Sequence, residues 1–411
     1  MEESAMLNRF LALQRRNPYP LYWVLRRVQP VVRIARYDLW FATRYDDVKK
    51  VLSDHEHFSS DFRRAFRPGE ELDQSSKISL IGSDPPVHTK LRGLMTKAFT
   101  PKAIASLESR IGELTHELID GVADAGRMDL VQDLAYPLPV MVIAEMLGVP
   151  AADRAQFKIW SDAIVRSADD LFSSTEDERG NRQGADAPLG GGEMGAYFAE
   201  IIAQRRANPQ NDLISGLVAA EMDGQKLSEW DLLDFCGLLL VAGNVTTTNL
   251  ISNAVMLFLE HRDALEAVKS NPALLPDAIE EVLRFRSPVQ FMFRVSSAET
   301  ELGGRTVPPD QRVIALIGSA NRDESQFEHA NRFDITRKPN RHIAFGQGVH
   351  YCLGAPLARL EAKVVLPILL ERLPNLARTT SGGLPPTDGI LLHGVKNLPV
   401  RWDMPPRMVA V

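Results

Sequence analysis

The chain has 411 residues, 45% of them hydrophobic and 24% charged, which excludes a disordered, collagenous or disulfide-stapled protein. Folding at this length buries roughly three quarters of the surface, enough for a core without covalent staples, in two or three domains or one large one. With 47 basic against 53 acidic residues and a net charge of −6, it lacks the basic surplus expected of a nucleic-acid or anionic-membrane binder. Two cysteines, Cys236 and Cys352, make neither a four-cysteine zinc site nor a disulfide framework, and so low a count fits a reducing cytoplasm. Residues 1–10 carry Glu2, Glu3 and Arg9 and no apolar run of signal-peptide length. The most apolar run, 232–241, is about half the ~20 residues a membrane span needs and reads as a buried core helix, so no membrane anchor is expected.

In chain order, a helix is expected to begin after Pro20. The β-branched and aromatic runs 31–36 and 39–43 flank Tyr37-Asp38 as a hairpin. A helix over 45–54 has Asp46 and Asp47 early and its lysines late, as the macrodipole favours. Residues 59–83 read as a long loop. From Val87 to Gly243 the pattern is helical. Thr100-Pro101 marks an N-cap followed by proline at the first helical position. Helices are expected over 103–123, 137–147, 151–172, 194–206, 210–222 and 228–260. The Ser-, Asp- and Gly-rich stretch 173–193 reads as a lid-like loop or a disordered segment. A helix over 277–286 stops at Ser287-Pro288. Strand-like pieces follow at 289–295, 301–302 and 312–317, and a last helix covers 355–373. Strand signals near residue 35 and after 288 can pair only if the two ends of the chain return to each other. The expected fold is mainly α with a small β lobe (α+β), in one domain spanning 1–411.

The most informative string is Phe345-Gly346-Gln347-Gly348-Val349-His350-Tyr351-Cys352-Leu353-Gly354. Gly346 and Gly348 permit a tight backbone that a flat macrocycle can approach. A cysteine just before a helix has its thiolate favoured by the free N–H groups and the helix dipole. A free cysteine by itself is ordinarily a buried small hydrophobe, and the surrounding string sets this one apart. A thiolate so placed suits the axial ligand of a haem iron.

At these residues the chain resembles the cytochrome P-450 family, whose haem-ligand signature F-G-x-G-x-H-x-C-x-G the string matches at every specified position. The resemblance extends over about residues 15–405 and is to the family's soluble bacterial branch. It implies haem b held between the long central helix and the Cys352 loop, with Phe345, Gly346 and Gly354 shaping that loop. It also implies that His88 and Arg92, one helical turn apart, join Arg294 and His350 on the haem propionates. Glu281 and Arg284 match the family's structural E-x-x-R pair, and Arg332 is expected to complete that cluster. In the central helix, Ala242-Gly243-Asn244-Val245-Thr246-Thr247 matches the family's small-Gly-x-acid-Thr pattern, except that Val245 stands where the acid is usual. Gly243 is then expected to let the helix open, Thr246 to bond oxygen, and Asn244, Thr247 or water to substitute for the missing acid.

The resemblance further implies a monooxygenase that inserts one atom of O2 into a hydrophobic small-molecule substrate. Its pocket is expected to draw on Leu80, Ile81, Leu239, Val289, Phe291, Met292 and Leu392, with Phe62, Arg63, Arg64 and Arg67 either meeting an acidic substrate group or forming a solvated loop face. With no dinucleotide fingerprint and no room for a fused reductase, electrons are expected from a separate ferredoxin or flavodoxin and its NAD(P)H reductase, docking near Arg341 and Arg359. A peroxide-driven haem-thiolate peroxygenase and a non-catalytic haem ligand-binding protein are the alternatives.

Overall fold

The computed structural model describes residues 15–35, 38–66, 79–153, 156–157, 159–160 and 192–404. Of the sequence expectations, the 173–193 loop up to residue 191, most of the 151–172 helix and Arg67 lie outside the described residues.

Strand pairing brings the two ends of the chain together. The hairpin Val31–Ile34/Leu39–Ala42 is antiparallel, and Leu39–Ala42 then pairs in parallel with Arg312–Ala315, Leu39 opposite Arg312. Arg312–Ala315 is antiparallel to Met292–Ser296, and Phe58–Ser59 completes a five-stranded sheet. A parallel pair needs a crossover. Here the crossover is most of the helical part of the chain.

The two faces of this sheet bury different things. Met292, Arg294, Val313 and Ala315 share one face by register, and Val313 and Ala315 there pack with Trp40, Val48 and Phe58. Phe293 and Ile314 share the other, where Phe291, Leu316 and Tyr22 form a separate apolar cluster. Successive residues of a strand alternate sides. Phe291 and Met292 therefore do not face one pocket together: Phe291 is a core residue beneath the Tyr19–Val28 helix.

The helical region is built around Glu229–Glu260, a 32-residue helix opened by a capping box. Asp231 N–H donates to Ser228 Oγ (3.2 Å) and Ser228 N–H to Asp231 Oδ2 (2.8 Å), satisfying two otherwise orphan donors. The helix is long and apolar enough to cross a bilayer by composition, but it is a core helix, with Leu250–Phe258 wholly buried. The largest apolar cluster gathers it with Pro137–Met146, Leu275–Phe285 and Ala355–Arg372.

Two expected helices are shorter than their patterns. The 103–123 run is two helices, Pro101–Ala105 and Glu108–Asp120. Thr100 caps the first by accepting from Ala103 N–H (3.2 Å), and Ser106 Oγ closes it by donating to Ala103 O (2.7 Å), competing with the helix ladder. The 210–222 run is helical only over Leu213–Ala219. It gives way to a two-stranded hairpin turning at Asp223-Gly224, both at positive φ (53° and 74°). That Asp-Gly dipeptide is the signal the helical pattern concealed. The short strands Arg127–Asp129, Ala377–Arg378 and Pro399–Arg401 form a three-stranded sheet for which the sequence offers too few residues to show a period.

Candidate functional site

Cys352 sits between a 3-10 turn, Gly348–His350, and the Ala355–Arg372 helix. Its N–H donates to Phe345 O (2.9 Å), closing the loop on itself. Gly346 and Gly348 both take positive φ (75° and 71°). At Gly348 a Cβ would also lie 2.7 Å from the Ser53 backbone, so glycine is demanded twice there. At Gly346 the nearest atom is 3.8 Å away and only the backbone angle requires glycine. Gly354 has an ordinary helical conformation, and a Cβ there would make normal contact with the Cys352 sulfur (3.9 Å). The expected need for glycine at that position is thus not set by the protein's own packing.

Cys352 keeps an exposed surface. Burial by the surrounding chain pushes its thiol pKa up, opposed by N–H groups of Gly354 and Ala355 and by the charges of Arg92 and Arg359. Cys236, the other cysteine, is wholly enclosed in the central helix, where burial and Asp234 push its thiol up to about 12.

Four nitrogen donors converge beside the Cys352 loop. Arg92 Nη2 donates to Tyr351 O (2.6 Å). The rings of His88 and His350 lie 4.1 Å apart, and His350 Nε2 is 2.9 Å from Ser60 Oγ. Arg294 is buried and, among the described residues, donates to its neighbour's carbonyl, Phe293 O (2.7 Å). His88 is buried, and among the described residues neither of its ring nitrogens has a partner. Burial, then Arg92, lowers its pKa to about 4; burial, then Arg294, lowers that of His350 to about 3. Burial lowers Arg294 to about 10, opposed by Asp84. Asp84 is the carboxylate that these groups feel, and it is already engaged by Ser59 Oγ and by Ser60 N–H (2.8 Å).

This is a cationic, incompletely satisfied cluster next to a thiol at a helix start. Unpartnered buried ring nitrogens call for an acceptor, and paired guanidinium and imidazole donors fit two carboxylates. The donor set fits a haem whose propionates meet His88, Arg92, Arg294 and His350 and whose iron meets Cys352.

The central helix runs unbroken past this region. Gly243 does not open it. A Cβ there would lie 2.7 Å from Ile143 Cδ1, so this glycine lets the central helix approach Pro137–Met146. Thr246 Oγ1 donates to Ala242 O (2.6 Å), which leaves its lone pairs to accept from the site. Leu239, Ala242, Gly243 and Thr246 form the less buried stripe, with Val245 half-buried beside it. Asn244 and Thr247 are buried on other faces and are not placed to stand in for an acid at position 245.

The E-x-x-R pair is wholly buried and bidentate, with Arg284 Nε to Glu281 Oε2 at 2.7 Å and Nη2 to Oε1 at 2.8 Å. Arg332 does not complete this cluster with its side chain, which is exposed; only its carbonyl takes part, accepting from Arg284 (3.1 Å). Arg337 is the third side chain, its Nε 3.2 Å from Glu281 Oε2, and Asn340 Nδ2 donates to the same oxygen (3.2 Å). Nearby, Arg359 is held bidentate by Glu280 (2.7 and 2.8 Å) and stacks over Phe345 (4.5 Å), so it is not a free docking charge. Arg341 remains exposed.

Among the expected pocket residues, Ile81 is exposed, Leu80 and Phe291 are buried, and Leu239, Val289, Met292 and Leu392 are half-buried. Val289 and Leu392 are joined by a β-bridge.

The cytochrome P450 family model matches residues 6–393. The chain belongs to the cytochrome P450 family. It is 44% identical to the putative cytochrome P450 YjiB of Bacillus subtilis, over 96% of this chain and 99% of that one. It is 38% identical to the cytochrome P450 monooxygenase PikC of Streptomyces venezuelae, over 94% and 91%. The crystal structure of CYP109E1 from Bacillus megaterium in complex with testosterone superposes with a TM-score of 0.81 at 39% identity, covering 94% of this chain and 99% of that one. This P450 is therefore an oxidoreductase of a haem-binding, monooxygenase-bearing family, with the mainly α, small-β architecture those structures share.

Proposed function

We propose that this P450 binds haem b non-covalently through Cys352 and inserts one oxygen atom from O2 into a hydrophobic small molecule, using electrons from a separate ferredoxin or flavodoxin. The observation that carries this reading is the gathering of His88, Arg92, Arg294 and His350 beside the Cys352 loop, with both His88 ring nitrogens buried and unpartnered among the described residues. The haem supplies the redox and oxygen chemistry when bound. The chain's own residues do the rest. Cys352 ligates, while Gly354 and Ala355 N–H groups and Arg92 favour its thiolate against the cost of burial. The four donors orient the macrocycle through its carboxylates. The Thr246 hydroxyl, its proton turned to Ala242 O, accepts a proton-bearing group from the site. The half-buried apolar side chains of Leu239, Val289, Met292 and Leu392 exclude water and favour an apolar substrate.

The chain acts as one haem unit in the cytoplasm. The neighbour CYP109E1, whose structure holds testosterone, makes steroids the first compounds to screen here. The deciding experiment is the reduced CO difference spectrum of the purified protein. The red-shifted thiolate Soret band is expected in the native protein and absent in Cys352→Ser. Its absence in the native protein would remove the proposal. Product formed with O2, ferredoxin, reductase and NADPH, but not with hydrogen peroxide alone, separates the monooxygenase from the peroxygenase reading.

A further inference from the structure

A cleft of about 420 Å³ lies against the Tyr19–Val28 helix, the end of the Leu275–Phe285 helix and the turn carrying His393. The volume falls within the roughly 300–1,000 Å³ of small-molecule sites. Arg16, Arg286 and Arg322 line it, and no aspartate or glutamate does among the described residues.

The two deeper arginines differ. Arg322 is fixed, with Nε and Nη2 donating to Phe285 O (2.9 and 2.6 Å) and Nη1 to Asn331 Oδ1 (3.3 Å). Its guanidinium is held between the rings of Phe285 (3.5 Å) and Tyr19 (3.9 Å). Arg286 is mostly buried, yet its guanidinium makes no hydrogen bond to a described residue and its Nε is buried without a partner. Its one ion pair among the described residues is a long one, Nη1 to Glu260 Oε2 at 3.8 Å, to a carboxylate that is itself 41% exposed. His393 gives no relief. Burial, then Arg286 and Arg322, hold its pKa down to about 3, so it is neutral. A guanidinium withdrawn from water with no closer acceptor than this is costly, and an anion in the cleft would supply a closer one.

We propose that this cleft binds a small aromatic carboxylate, with Arg286 pairing the carboxylate and Trp23 at the cleft edge meeting the ring. A guanidinium fork matches a carboxylate in two parallel hydrogen bonds. Trp23 is exposed at the cleft edge, its ring carrying the Arg27 guanidinium at 3.8 Å on one face. The site is separate from the Cys352 loop. It touches the turn whose His393 N–H donates to Pro288 O (2.8 Å), next to Leu392.

The test uses the full, haem-loaded chain and 2-naphthoate as probe, by titration calorimetry with the Soret band recorded in parallel. The expected result is saturable one-to-one binding with a Kd below about 1 mM and an unmoved Soret band. 2-Naphthamide, which has the same shape without the charge, should bind at least about tenfold more weakly; this comparison needs no variant. Arg286→Met should lose at least about tenfold in affinity for the acid while keeping its CO spectrum, and Arg286→Lys should recover part of the loss. Any one of three results overturns the proposal. These are no saturable binding, equal binding of acid and amide, or binding that moves the Soret band and is unchanged in a correctly folded Arg286→Met protein.

Discussion

Three single substitutions around Glu281 test whether the side-chain partners, rather than the sequence pattern, hold the core beneath the site. Glu281 is wholly buried and accepts from Arg284, Arg337, Asn340 and the Asp334 N–H. Glu281→Gln leaves Arg284 charged and buried with only carbonyls around it, at Asn321, Ala330 and Arg332. Breaking a buried pair in this way costs about 3–5 kcal/mol, a large share of the roughly 5–15 kcal/mol that holds a typical protein folded. Arg337→Gln removes one charged donor from the carboxylate, whose Nε is 3.2 Å away and whose side chain is nearly enclosed. Hydrogen bonds to charged groups set that loss at about 1.5–3 kcal/mol. Arg332→Ala keeps the carbonyl that Arg284 and Arg337 use and removes only an exposed side chain, so its cost stays within about 0.5 kcal/mol. The assay is urea unfolding of the haem-loaded variants, followed by far-UV circular dichroism and the Soret band. The order of midpoints is read, because a cofactor-bearing chain of this size need not unfold in two states. The expected order is native and Arg332→Ala together, then Arg337→Gln, then Glu281→Gln. An Arg332→Ala midpoint at or below that of Arg337→Gln would refute the assignment.

Gly348→Ala should abolish haem incorporation, read as the Soret-to-protein absorbance ratio, because its Cβ meets the Ser53 backbone at 2.7 Å as well as positive φ. Gly346→Ala meets only the backbone penalty, about 1–2 kcal/mol, and should retain most of its haem. His393, buried and neutral with a pKa lowered to about 3, makes stability depend on acid. Its contribution is fully present above the unfolded histidine value of about 6.5 and is lost at about 1.4 kcal/mol per pH unit as pH falls towards 3. A His393→Gln protein should show a flatter midpoint-against-pH curve across that window. For Glu280, burial alone would raise the pKa, but hydrogen bonds from Arg359 and His342 hold it at about 2. Its share of stability should persist down to about pH 4.5 and disappear towards pH 2, removed by Glu280→Gln. Finally, Val245→Glu should raise the fraction of NADPH electrons recovered in product. Tight coupling in the native protein with no gain in the variant would discard the idea of an incomplete proton relay.

The ligand loop was legible because its chemistry is local. Glycines at positive φ, a cysteine and a following helix lie within ten residues, and no distant contact is needed to recognise them. The central helix was legible for the same reason, since its apolar pattern is short-range, whereas the helix capped at Thr100 proved only five residues long. The third member of the Glu281 cluster was not legible. Arg332 and Arg337 are both arginines a few residues apart in an irregular loop, and only the path of that loop decides which side chain turns inward. The partition of Phe291 and Met292 between two sheet faces, and the role of Gly243 as a contact with Ile143, likewise depend on what lies opposite in space.

The sequence alone therefore determined the Cys352 motif and the family it belongs to, the helical scaffold and the departure at Val245, because each is written in neighbouring residues. Tertiary structure decided the closing of the sheet between strands some 270 positions apart (Leu39 against Arg312), the burial that sets each pKa, and the burial of Arg286 in its cleft with only a long ion pair to Glu260. Burial and partner identity are properties of packing, and packing joins residues whose separation along the chain carries no local signal.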